Sequence, residues 1–341
     1  MKEDLERRQE IKEMVRCAQL HFHYHRSQKE VAETLHLSPS KVSRLLKRAY
    51  EEGIVEVKIH VPRLPSLEMA LTEKYGLRDA IVITGGEEEM IKEDLGSAAA
   101  QYFEKIAGNG AKIGISCGFT LYNLVRHLKE NRFSDLTLYP LCAESSLEGS
   151  LKMVGLFSNT LVGMMAAKYR PRVTAYALPS FPVLTEGDME EQRQAFLSRA
   201  DIRQVYDGAA NADIFLLGIG CIGEETPGFS LFAESYGISA QQLRSMNVVG
   251  EINYQPFNLE GELVCHPDLK GLLQRIVAIP ASHLREMAKQ FGKFVIAVAG
   301  GAQKLLAIRG ALAGRFCNVL ITDETIATAL LQDDADPRMM P

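Results

Sequence analysis

The chain has 341 residues, is 46% hydrophobic and 24% charged, and carries a formal net charge of −5, enough to bury a substantial core in two or three domains. No apolar run approaches the length of a membrane span, and the opening MKEDLERRQEIKEM lacks the apolar stretch of a secretory signal, so a cytoplasmic protein without membrane partners is expected. Cysteines at positions 17, 117, 142, 221, 265 and 317 include no C-x-x-C pair, which leaves neither a zinc site nor a disulfide framework to expect, and no cofactor is indicated.

Residues 5–25 read as a first helix whose apolar side is Leu5, Ile11, Val15, Ala18, Leu20 and Phe22. His21, His23 and His25 alternate near its end, and residues two apart on a helix do not share a face, so they do not suggest a metal site. Ser27 and Glu30 form the S-x-x-E pattern of a capping box, starting a second helix with Val31, Ala32 and Leu35 inward. His36 stands at the turn where glycine is common, which predicts mild backbone strain. Ser38 then caps a third helix with Pro39 in its first turn, where a missing N–H removes no bond. Val42, Leu45 and Leu46 face inward, and Gly53 suits a left-handed helix end. Ile54, Val55, Val57, Ile59 and Val61 follow as a β-branched run that fits a strand. Helix, turn, helix and strand in this order make a winged helix-turn-helix.

From Arg26 to Arg48 there are six Lys/Arg against two Glu, a basic element on an acidic chain. An amphipathic hairpin with a merely solvated basic face is the bland alternative. The combination of caps, turn, apolar pattern and charge favours a DNA reader. Ser40, Ser43 and Arg44 are the candidates for base edges, and Lys41, Lys47, Arg48 and the helix start near Gln28 for backbone phosphates. One helix pair buries too little to be selective. At least a dimer on repeated half-sites of double-stranded operator DNA is therefore expected.

Pro62-Arg63-Leu64-Pro65 reads as a hinge or boundary, dividing a DNA-binding domain, residues 1–62, from an effector and oligomerisation domain, residues 63–341. Beyond Leu67, short apolar runs alternate with helical patterns: DAIVIT from 79, AKIGIS from 111, LTLYPL from 136, RVTAYAL from 172, ADIFLLGIG from 212, KFVIAVAGG from 293 and NVLITDE from 318. This alternation predicts an α/β fold with a doubly wound, Rossmann-like sheet and a ligand at the carboxyl ends of its strands.

Three strand-to-helix loops stand out. In Gly114-Ile115-Ser116-Cys117-Gly118-Phe119-Thr120 the glycines allow a tight turn, the helix amides beyond face outward, and Ser116 and Thr120 add hydroxyls, which together suit a phosphate. The same spacing fits a hydrolase elbow with Ser116 as nucleophile, but His266 and His283 lie in patterns unsuited to a triad. In Gly300-Gly301-Ala302-Gln303-Lys304 the lysine opposes the helix dipole, as it would beside a bound anion. Thr322-Asp323-Glu324 can cap the last helix and also line a pocket.

At these residues the chain resembles the SorC family of bacterial transcriptional regulators. SQKEVAETLHLSPSKVSRLLKRAYEEGIVEVKI is similar to its DNA-binding segment and GISCGFTL to its phosphate loop; ADIFLLGIG, VVGEINYQPFNLEG, VAGGAQKLLAIRGAL and NVLITDETIATALL resemble its later blocks in order. The resemblance implies an effector domain related to sugar-phosphate isomerases and deaminases, a tetramer, and control of sugar catabolic genes by a phosphorylated sugar. It implies that Ser116, Gly118, Phe119 and Thr120 hold the phosphate, that Lys304 reaches it, that Glu251 meets sugar hydroxyls, and that Asp323 and Glu324 belong to the block closing the pocket. Departures are Cys142-Ala143-Glu144 in place of a glycine pair, Asn258 in place of an aspartate, and Glu251, one methylene longer than the usual residue. Glu144 beside an anion would have to face a hydroxyl or amine. The expected function is a DNA-binding regulator, not an enzyme, whose operator affinity a small sugar or sugar phosphate controls. The alternative is a sugar-phosphate isomerase or deaminase with a DNA-binding appendage, for which no acid/base pair stands at suggestive spacing.

Overall fold

The structure, a computed structural model, describes residues 2–55, 62–86, 90–143, 156–169, 171–180, 188–223 and 229–332. The chain forms two compact units, Met1–His60 and Val61–Pro341.

In the first unit a helix Lys2–Ala18 unwinds into a π-helical turn, Gln19–His23, and is followed by helices Gln28–Leu35 and Pro39–Glu51. The capping box forms as expected: Ser27 Oγ accepts the Glu30 N–H at 3.3 Å, and the Glu30 carboxylate accepts the Ser27 N–H at 2.8 Å. Ser38 Oγ accepts the Lys41 N–H at 3.2 Å, and Pro39 occupies the first turn. His36 is left-handed, with φ 54°, and so is Gly53 at φ 70°. Val31, Ala32, Val42, Leu45, Leu46 and Ala49 close a small core with Met14, Cys17 and Ala18 of the first helix. The expected apolar side is met in part: Ala18 is buried and Leu20 and Phe22 pack against this core, but Met14 and Cys17 point inward beside them whereas Ile11 is 37% exposed. Glu10 and Glu13 on its flank pair with Arg48 and Lys41, contacts that an apolar pattern does not reveal. Ile54 and Val55 pack against this core, while Val57, Ile59 and Val61 of the expected wing, and the Leu5 side chain, lie outside the described residues.

The second unit contains β1 Asp79–Ile83, β2 Ala111–Ile115, β3 Leu136–Pro140, β4 Cys142–Ala143, β5 Val173–Ala175 and β6 Ile214–Gly218. After these come β7 Gly220–Cys221, β8 Gly250–Ile252, β9 Gln255–Phe257, β10 Val277–Ala278, β11 Phe294–Val298 and β12 Val319–Asp323. The seven runs read from the sequence pair into one parallel sheet of order β1-β12-β11-β6-β2-β3-β5. Alternate residues feed two cores. Val82, Phe215, Leu217, Val295 and Leu320 enter one, and Ile83, Ile113, Leu216, Ile296 and Ile321 the other, so helices cover both faces. Strand order reverses between β2 and β6, and the loops after both strands diverge there, leaving a crevice at their carboxyl ends.

Two features were not legible beforehand. The first is a small antiparallel sheet, β7-β8-β9, whose last two strands turn through Asn253 and Tyr254, both at positive φ (53° and 62°), as a tight hairpin turn requires. The second concerns the segment read as a hinge. Pro62 O accepts the Thr84 N–H at 3.0 Å, and Leu64 N–H donates to Val82 O at 2.8 Å, so residues 62–64 lie along the edge strand β1. Arg63 clamps them there by pairing with both oxygens of the buried Glu68 carboxylate, at 2.8 and 2.7 Å, while Glu68 Oε1 also accepts the Val82 N–H at 3.0 Å. The residues after Val61 are thus fastened to the sheet.

Candidate functional site

The crevice at the strand reversal holds a pocket of about 900 Å³, counting its open mouth, lined among others by Ser116–Leu121, Gly218–Cys221, Glu251, Asn253, Tyr254, Gln303 and Lys304. The loop after β2 leads through Gly118, at φ 124°, into the helix Phe119–His127. The first-turn amides of Phe119, Thr120 and Leu121 have no carbonyl one turn back to bond, and they lie at the positive end of the dipole. These are the anion-seeking groups of the loop. The Ser116 and Gly118 amides are already used, donating to Leu216 O at 2.9 Å and Leu156 O at 3.0 Å.

Ser116 plays a different part from the hydroxyl donor expected of it. Asn253 Nδ2 donates to both Leu141 O and Ile279 O at 3.0 Å, which turns its Oδ1 toward Ser116 Oγ, 2.7 Å away. The hydroxyl proton is committed to Asn253, so Ser116 presents lone pairs to the pocket. Neither histidine serves it as a base: His283 Nε2 bonds Ala210 O at 2.8 Å, and His266 Nδ1 caps the helix Pro267–Leu273. Asn253 itself, the hub joining four segments, was not among the predicted residues. An Asn-Tyr turn between three-residue strands gives little sequence signal.

Glu251 and Lys304 form the charged floor. Glu251 is 91% buried by its 9% exposure; Oε2 accepts the Tyr254 N–H at 2.8 Å, and Oε1 lies over Gly220, its cross-strand partner. A Cβ at position 220 would overlap that oxygen, so glycine here makes room for the carboxylate. Lys304 Nζ donates to Ile219 O at 2.6 Å. Burial pushes the Glu251 carboxyl up to about 7, against the opposing pull of the Tyr254 N–H and Lys304. Burial likewise lowers the Lys304 ammonium, while Cys221 and Glu251 draw it back up.

Of the remaining predicted residues, Asp323 falls outside this convergence. Asp323 is buried behind the pocket, where Oδ2 accepts the Gly301 N–H at 2.7 Å and Oδ1 the Ile326 N–H at 3.0 Å. It holds the Gly300–Lys304 loop in place and has no oxygen turned to a ligand. Glu144 lies outside the described residues. Asn258 bonds the backbone and carboxylate of Glu262 in a local turn.

On the third helix of the first unit, Ser40, Ser43, Arg44 and Lys47 are exposed, as is Gln28 at the start of the second. Arg44 has no carboxylate partner among the described residues, and Lys47 reaches only Glu51, at 3.8 Å. Ser40 shares its hydroxyl with Ser38 at 3.1 Å. Lys41 and Arg48, expected at phosphates, are instead tied to Glu13 at 2.7 Å and to Glu10 and Glu52. Their charge is largely answered within the protein, and they fasten the first helix to the third.

A family model described as a sugar-binding domain matches residues 60–332, and one for winged helix-turn-helix DNA binding matches residues 25–56. The crystal structure of the full-length sorbitol operon regulator SorC from Klebsiella pneumoniae superposes with a TM-score of 0.63 at 26% identity, covering 93% of this chain and 98% of that one. The chain belongs to the SorC family. Over its sequence the Klebsiella sorbitol operon regulator is 27% identical, with 96% of this chain and 100% of the relative covered. The deoxyribonucleoside regulator of Bacillus subtilis is 26% identical, with 94% and 97% covered. These relatives are transcriptional regulators rather than enzymes, and this SorC-family chain is read accordingly: a DNA-binding regulator with a sugar-binding domain. A buried carboxyl titrating near neutrality could serve proton transfer, but membership in a regulator family decides against the enzymatic alternative. No helix among the described residues is long and apolar enough to cross a membrane.

The raised Glu251 carboxyl has a consequence for stability. The folded state holds this proton more tightly than the unfolded chain does, so its cost is absent below the ordinary carboxylate range and grows as pH rises through about 7. Glu251→Gln, which keeps the shape without the charge, is expected to exceed the wild type in melting temperature by a margin that is small near pH 5 and larger near pH 8. A difference that stays constant over this range contradicts the assignment.

Proposed function

We propose that this regulator senses a small phosphorylated sugar and changes its affinity for operator DNA in response. The observation that carries the reading is the convergence, in one pocket, of three free helix amides, the Lys304 ammonium and the buried Glu251 carboxyl. The amides and Lys304 suit a phosphate, and Glu251 suits hydroxyls; an apolar or purely cationic metabolite leaves one end of the pocket unmatched. Residues Ser116, Gly118, Phe119, Thr120, Glu251 and Lys304 form the effector site, with Asn253 holding its shape. The relatives, regulators of a sorbitol operon and of deoxyribonucleoside use by name, support a carbohydrate-derived effector and control of carbohydrate catabolic genes.

In the first unit Arg44 and Ser43 read base edges in the major groove, and Lys47 meets phosphate. The chain acts as a homodimer or homotetramer in the cytoplasm, because one reader of this size is too small to select a site alone. The effector alters DNA binding only insofar as it binds one arrangement of the sensor more tightly than another.

A thermal-shift panel of sugar phosphates and their unphosphorylated parents tests the effector. At least one phosphorylated member raises the melting temperature while its parent does not, and it changes operator affinity measured by fluorescence anisotropy. Stabilisation by parent sugars alone contradicts the phosphate reading. For the DNA reader, Arg44→Ala is expected to relax discrimination at one base pair by about 1–3 kcal/mol. Lys47→Ala should weaken binding to all sequences and reduce the salt slope by about 1. Identical salt slopes for the two variants contradict these roles.

A further inference from the structure

Lys92 lines the same pocket, although it lies remote in sequence from every loop that forms the phosphate seat. It stands in the first turn of the helix Ile91–Ile106, half-buried, where a cation opposes the dipole. Its ammonium rests over the ring of Phe119, 5.4 Å from the centroid, and Phe119 opens the helix that offers the free amides. The two helices cross in backbone contact at Gly96, where a Cβ would overlap Asn123, so their first turns are held side by side at the pocket. No carboxylate pairs with Lys92 among the described residues. The adjacent Glu93 is engaged by Arg126 at 3.2 Å and His127 at 2.7 Å.

The pocket therefore gathers two helix starts and two ammonium groups, and the one carboxylate that lines it among the described residues, Glu251, is on the Lys304 side. The Lys92 charge is felt at Lys304, where it helps to lower the ammonium. Cations so placed repel one another until an anion lies between them. The π-face of Phe119 supplies only a weak substitute for that anion, worth less than a charge-assisted hydrogen bond.

We infer that Lys92 is a phosphate-binding residue that rests on Phe119 in the empty pocket and closes over the bound group, so that the site selects a dianionic phosphomonoester over a singly charged sugar acid. This inference rests on the reading of the pocket as a phosphate seat. It adds a residue and a charge preference to that reading: two lysines and the helix amides match two negative charges, where Lys304 and the amides alone would suffice for one.

The test uses the full chain and titrates inorganic phosphate and, separately, gluconate at pH 7.5, for wild type, Lys92→Met and Lys92→Arg. Expected are phosphate binding tighter than gluconate binding by the wild type, a loss of about tenfold or more for phosphate in Lys92→Met, and recovery of most of it in Lys92→Arg. Gluconate affinity should change much less. Melting temperatures of the unliganded variants, expected near that of the wild type, separate loss of a contact from loss of the fold. Wild-type phosphate binding that Lys92→Met leaves unchanged overturns the role of Lys92 alone. Absence of phosphate binding by the wild type overturns both this inference and the reading beneath it.

Discussion

The placing of a buried carboxyl, Glu251, and a part-buried ammonium, Lys304, in one pocket at the carboxyl edge of a parallel sheet is the constraint on which the sensor depends. Glu251 can occupy its place because residue 220, opposite it across the strand pair, has no side chain. Lys304 can occupy its own because the carbonyl of Ile219, one residue earlier, accepts its proton. Residues 219 and 220 follow directly on β6, one of the two strands between which the sheet order reverses. The topology thus places the pair where helix starts also converge, and the crevice acquires a positive wall and a protonatable floor. Desolvation is tolerable because each group retains a hydrogen-bond partner, yet each also remains exposed to what enters the pocket.

Much of this was legible in the sequence. All seven strands of the sheet appear as short apolar runs, most of them before a glycine- or threonine-bearing loop, because the central strands, buried on both faces, must be largely apolar. The helix-turn-helix was equally plain, since Ser27, Glu30, Ser38, Pro39 and Gly53 each satisfy a local backbone requirement. Local rules do not reach further than this. Asn253 matters because it joins segments from four parts of the chain, and Lys92 because two helices cross at Gly96; neither fact is written in the neighbouring residues. Asp323 ends β12 at the carboxyl edge of the sheet, but its two oxygens are spent on backbone amides. Adjacency in sequence to a pocket loop does not make a side chain a ligand.

The reader unit teaches a related point about charge. Six basic residues between Arg26 and Arg48 suggest a broad phosphate-binding face. The first helix takes two of them back: Glu13 holds Lys41, and Glu10, with Glu52, holds Arg48. These pairs are partly exposed and add modestly to stability, but they reduce the charge left for a polyanion. Four of the six remain exposed, Arg26 and Lys29 around the second helix and Arg44 and Lys47 on the third, with Lys47 only 3.8 Å from Glu51. A smaller basic face places more of the discrimination on base contacts.

The central claim is that the amides opening the helix Phe119–His127 receive the effector's anionic end. Hydrogen–deuterium exchange across residues 116–122, with and without a sugar phosphate that stabilises the protein, addresses it directly. The account predicts marked slowing at Phe119, Thr120 and Leu121, with little change at Ser116 and Gly118, whose amides are already bonded. Unchanged exchange in this turn, with protection appearing elsewhere in the second unit, would contradict it.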